Sequence, residues 1–115
     1  MHEEKRKYAR VSTVLSVTLS AGDRSLQGIV YNASRGGILV QSRESVEVDT
    51  HLDIAIDVRT PIKAKGRVAW VQKEEHVYMI GIDFEELHPN AVSAWTNVLK
   101  KFTSLLTQPN LGFRM

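Results

Sequence analysis

The sequence predicts a mainly β protein: an antiparallel barrel of about six strands with one C-terminal α helix. Three observations carry that prediction. Apolar and polar residues alternate with a period of two in several short stretches between Val11 and Phe84, the mark of half-buried strands. Clusters of Gly, Asn, Asp, Ser and Pro punctuate those stretches, as in small barrels and sandwiches, and closure into a barrel removes exposed sheet edges. Beyond Phe84 the period lengthens to three and four residues, which is helical.

Taken in order, Val11 to Ser20 alternates Val11, Thr13, Leu15, Val17 and Leu19 against a more polar set, a first strand. Ala21-Gly22-Asp23-Arg24 is a hairpin turn. Ser25 to Tyr31 is the second strand, where Gly28 predicts a bulge or tight bend. Tyr31-Asn32-Ala33-Ser34-Arg35-Gly36-Gly37 then reads as a polar turn leading into a third strand, Ile38 to Gln41. Ser42 to Thr50 is a loop. His51 to Val58 and Ile62 to Gln72 alternate again, broken by Arg59-Thr60-Pro61. In the second of these, Ile62, Ala64, Gly66, Val68 and Trp70 fall on one face and Lys63, Lys65 and Arg67 on the other. Lys73-Glu74-Glu75-His76 turns the chain into a last strand, Val77 to Phe84.

Pro89 suits the first position of a helix, with His88 or Asn90 at the cap. Val92, Trp95, Val98, Leu99, Phe102, Leu105 and Leu106 form its apolar stripe, running to about residue 107. The expected organisation is thus an arm over 1–10, a barrel over 11–88, a helix over 89–107 and a tail over 108–115. The helix stripe is expected to plug the barrel's open end or cover one side; the sharper alternative is that it makes a homodimer or docks a partner. Trp70, Phe84 and Trp95 are expected in the core.

Composition narrows the function. The 115 residues allow one domain with a modest core. No apolar run approaches the roughly 20 residues that span a bilayer, and the charged start Met1-His2-Glu3-Glu4-Lys5 is not a signal peptide. The absence of cysteine excludes disulfide and thiol chemistry and fits a cytoplasmic location. A net charge of +2 does not by itself call for nucleic acid or an anionic membrane. Charge is nonetheless concentrated: Lys5, Arg6, Lys7 and Arg10 crowd into six positions.

Catalysis finds no support. His2, His51, His76 and His88 are scattered, and none has metal-ligand spacing. Ser34 lies in a turn lacking the Gly-x-Ser-x-Gly nucleophile pattern, and Asp53, Asp57 and Asp83 show no acid–base pairing. The chain is expected to bind and not to catalyse, with no metal and no resident cofactor.

Two stretches point to what it binds. Asn32 and Ser34 are two apart, so in extended backbone they face the same side, and Gly36-Gly37 permits positive φ and close approach to the backbone. Arg6-x-x-x-Arg10, followed by Asn32-x-Ser34-x-x-Gly37, resembles the paired motifs of the PilZ domain, the bacterial receptor for cyclic di-GMP. Gly66-Arg67-Val68-Ala69-Trp70-Val71 and Gly81-Ile82-Asp83-Phe84 are similar to the later strands of that family. The resemblance spans roughly residues 5 to 88 and implies a six-stranded split-barrel fold. It implies that Arg6 and Arg10 clamp the ligand, that Asn32 and Ser34 contact a guanine edge, and that Gly37 keeps the turn tight; Lys5, Lys7, Arg35 and Gly36 are secondary candidates. Arginine suits the task because its planar fork bonds phosphate or the guanine O6/N7 edge and stacks on flat rings.

Two departures from the family pattern matter. Asn32 stands where the family often has Asp, and one amide oxygen in place of a carboxylate predicts weaker binding. Lys5 stands where many members have another Arg, which leaves open whether one ligand or a stacked pair is bound. Ordering the arm costs roughly 1–2 kcal/mol per residue, so it is expected to be mobile when free and to wrap the barrel on binding. Two other functions fit the same barrel: a ligand-independent adaptor for a protein partner, disfavoured by the intact motifs, and an oligonucleotide-binding barrel using Lys63, Lys65 and Arg67, disfavoured by an aromatic content of 7%. The output process, the downstream partner and the choice between monomer and homodimer are not written in the sequence.

Overall fold

Alternating β-branched and polar residues build six strands in the computed structural model, which describes residues 11–106. They are β1 (Val11–Ala21), β2 (Arg24–Ser34), β3 (Gly37–Ser42), β4 (His51–Ile56), β5 (Ile62–Glu74) and β6 (Val77–Leu87), followed by α1 (Pro89–Leu106). Every pairing is antiparallel, and the order β1-β2-β3-β6-β5-β4 closes when β4 pairs back onto β1. Inside, Val17, Val30, Val40, Ile56, Val68 and Ile80 are buried to 2% or less, each contributing about 1.5–3 kcal/mol through loss of apolar surface to water.

The two ends of the barrel are stoppered differently. Val46, from the connection between β3 and β4, joins the core at one end. At the other, where β2 and β6 finish, α1 packs on β1 and β5 and sends Trp95 and Leu99 into the core cluster. The helix therefore covers the barrel, as its stripe predicts, although Val92 is left exposed. Pro89 opens the helix as expected, and His88 caps it: its Nδ1 accepts the Asn90 N–H at 3.1 Å.

Three details differ from the sequence reading, each for a local reason. Gly28 lies in an unbroken ladder opposite Val17 and Ser42, and the bulge falls instead at Tyr31, between the Val30–Val40 and Asn32–Leu39 pairs. Strand β2 continues through Asn32-Ala33-Ser34, so the polar turn shrinks to Arg35-Gly36. A second bulge on β5 puts Ala69 between the Val68–Ile82 and Trp70–Gly81 pairs. One extra residue reverses the inside–outside alternation. Val71 turns inward to pack on the core, and Trp70, expected inside, stands 41% exposed on the outer surface.

Two cations on the basic face of β5, Lys65 and Arg67, are paired with acids. Lys65 Nζ donates to Asp53 at 3.1 Å, and Arg67 donates to Asp49 at 2.6 Å while lying 3.9 Å from Asp83. The Asp53 hydrogen bond, with its charge, holds the Lys65 pKa above the ordinary lysine value. With Lys65 and Arg67 so paired, the face is a poorer track for a phosphate backbone, which weighs against the oligonucleotide-binding reading.

Candidate functional site

The polar motif sits where three elements meet. The Ser34 hydroxyl oxygen accepts the Gly36 N–H at 3.1 Å, folding the two-residue turn locally. The Gly36 carbonyl accepts the Phe84 N–H from β6 at 2.9 Å, and the Ser34 carbonyl accepts the Trp95 indole N–H from α1, also at 2.9 Å. Ser34 is thus 8% exposed, and its hydroxyl keeps a proton to donate. Gly37 begins β3 opposite Asp83 of β6. A Cβ there would collide with the Ile82 carbonyl oxygen, and no positive φ accompanies it. Of the two freedoms the sequence offers at Gly37, positive φ and close approach, the structure uses the second: this glycine provides room for two strands to approach.

Strand register carries the site sideways from the turn. Asn32 pairs with Leu39, Leu39 with Gly81 and Gly81 with Trp70, a row across β2, β3, β6 and β5. Opposed residues share a face, so Asn32 and Trp70 stand on one outer surface. The Trp70 indole lies directly on Gly81, in the space a Cβ would occupy. Between these groups opens a cleft of about 610 Å³, lined among others by Asn32, Arg35, Gly36, Trp70, Asp83 and Phe84. Its size falls in the range typical of small-molecule sites, roughly 300–1,000 Å³.

The Asn32 Oδ1 atom is buried and has no hydrogen-bond partner among the described residues. A buried acceptor left unpaired costs about 1–3 kcal/mol. Lys5, Arg6, Lys7 and Arg10 lie outside the described residues, as does the tail over 108–115. Their attachment point is known: the chain that carries them joins the barrel at Val11, opposite Ala33 and next to Asn32. Among the described residues, no group of His, Asp and Glu is placed to hold a metal, and no helix is long and apolar enough to cross a membrane.

A family model of the PilZ domain matches residues 4–100. The chain belongs to the PilZ domain family. Solved structures agree in fold. The PilZ domain of YcgR from Escherichia coli, determined with c-di-GMP, aligns at TM-score 0.77 and 10% identity over 90% of this chain and 95% of that one. The inhibitor of motility MotI/DgrA of Bacillus subtilis aligns at 0.77 and 18% over 92% of this chain and 54% of its own. The MrkH–c-di-GMP complex of K. pneumonia aligns at 0.76 and 13% over 90% and 54%. This PilZ domain therefore spans about half the length of the MotI and MrkH chains. No curated protein sequence matches.

Within this PilZ domain Asn32, Ser34, Arg35, Gly36 and Gly37 all line one cleft. The structure adds Trp70 and Asp83, which sequence reasoning did not place there. The available signal for Trp70 was Gly81: a glycine inside an apolar strand marks close approach by another group, and here that group is the indole.

Proposed function

We propose that this PilZ domain is a receptor for cyclic di-GMP and that the cleft beside Asn32 and Trp70 is its site. The buried Asn32 Oδ1, without a hydrogen-bond partner among the described residues and belonging to a residue that lines the same cleft as Trp70, is the observation that carries the reading. A guanine stacked on Trp70 presents its N–H groups along its edge, and Asn32 Oδ1 is the acceptor that meets them. Ser34 and the Gly36-Gly37 backbone hold the turn against which the ring lies. Arg6 and Arg10, reaching the cleft from Val11, clamp phosphate and the guanine O6/N7 edge. Lys5, Lys7 and Arg35 add positive charge around an anionic ligand. Binding draws the segment carrying Arg6 and Arg10 onto the barrel, and that change is what a downstream protein reads. The domain works by binding and not by catalysis, in the cytoplasm.

Isothermal titration with cyclic di-GMP, wild type beside Arg10→Ala, tests this. Saturable binding is expected in the wild type, and a loss of about 5- to 150-fold in the variant, as one bidentate arginine contact is worth about 1–3 kcal/mol. The stoichiometry decides between a single ligand and the stacked pair that Lys5 leaves open. Amide exchange over residues 5–10 is expected to slow when ligand is added; equal exchange with and without it would sink the conformational part. Absence of heat together with an unchanged melting temperature would leave the ligand-independent adaptor as the reading.

A further inference from the structure

Helix and turn are joined by a hydrogen bond that bears on the cleft. Trp95 is 1% exposed, and its ring meets Phe84 edge-on at 5.8 Å between centroids. Its indole N–H donates to the Ser34 carbonyl at 2.9 Å, a contact 61 residues apart in sequence. Phe84 in turn donates its backbone N–H to the Gly36 carbonyl at 2.9 Å. The two carbonyls flanking Arg35 in the turn are therefore each held by one of two aromatic residues that pack on each other.

We propose that Trp95 is a positioning residue for the cleft: its indole N–H fixes the Ser34–Arg35 peptide plane and with it the ligand-facing turn. The physical step is short. A trans peptide places its carbonyl and its N–H on opposite sides, so a Ser34 carbonyl tied to the helix aims the Arg35 N–H away from the helix. The Ser34 hydroxyl then stays where it accepts from Gly36, and Arg35 and Gly36 line the cleft. Without the indole N–H, the carbonyl loses its donor from the helix, and the turn is held on that side by the pairing of Ser34 with Gly37 across β2 and β3 alone. The bond also couples α1 to the site: whatever stiffens the turn stiffens the seat of Trp95, and a partner that shifts α1 alters the turn. The inference rests on the receptor reading for its ligand half only.

Trp95→Phe removes the N–H and keeps an aromatic ring against Phe84. The expected result is that Gly36 and Gly37 amides exchange about tenfold faster while Val40 and Ile80 amides, deep in the barrel, keep their wild-type protection. Cyclic di-GMP titration of the same variant is expected to show affinity reduced about fivefold or more. A uniform rise in exchange across barrel and turn, or affinity within about twofold of wild type, overturns the proposal. Should the variant fail to fold, the wild type serves: ligand is expected to slow exchange of the Trp95 indole proton, and an unchanged rate under saturation overturns it. If wild type binds no cyclic di-GMP, the receptor reading fails, while the exchange comparison on free protein still decides whether Trp95 sets the turn.

Discussion

Trp70→Ala is expected to weaken cyclic di-GMP binding by about 5- to 150-fold, the range set by base–aromatic stacking at about 1–3 kcal/mol. The melting temperature should move little by comparison, because the indole is 41% exposed and lies outside the barrel core. Its position explains why it is available: the Ala69 bulge turns it outward, and Gly81 beneath lets the ring lie flat against the strand. Trp70→Phe keeps a smaller face and should recover part of the affinity. Titration of the three proteins side by side checks the idea. Wild-type affinity in Trp70→Ala would mean that the ligand sits elsewhere on the turn, with the arginines alone carrying it.

Trp70 also marks how far the sequence could be read. Alternation identifies β1, β4 and β5; β2, β3 and β6 are read as short apolar runs between turn signals, and the helix declares itself by its change of period. Alternation cannot see a single inserted residue. Ala69 and Tyr31 look like ordinary members of their strands, yet each shifts the phase of the residues beyond it. The Asn32-x-Ser34-x-x-Gly37 motif is legible as a candidate site, but its polar residues hide the fact that Asn32 and Ser34 are still paired strand residues. The role of Ser34 in seating Trp95 depends on a contact between β2 and α1 that no local pattern encodes. The segment with Arg6 and Arg10 is recognisable from its motif and spacing. Beyond that motif, the structure supplies only its point of entry at Val11.

The largest effect on stability is expected from one added methyl group. Gly37→Ala places a Cβ against the Ile82 carbonyl oxygen, with the Ile82 carbon and Asp83 Cα 3.2 and 3.3 Å away. All three atoms belong to the backbone of β6, and Gly37 pairs with Asp83 in the β3–β6 ladder. Nothing at that point is a side chain that could swing aside, so relief requires the strands to separate. Overpacking of this kind costs about 1–3 kcal/mol and occasionally more, against a total stability of about 5–15 kcal/mol. The gain from a stiffer unfolded chain, about 0.4–1 kcal/mol, offsets only part of it. Gly81→Ala creates an equally short contact with a different outcome, because the obstacle there is the Trp70 ring. That ring is half in solvent and can rotate off its strand. Gly37→Ala should therefore melt clearly below wild type in thermal or urea unfolding. Gly81→Ala should melt near wild type but bind cyclic di-GMP more weakly, having lost the flat aromatic floor. If Gly37→Ala melted at or above the wild-type temperature, strand separation at the turn would be adjustable, and the glycine would have to be explained by the ligand alone.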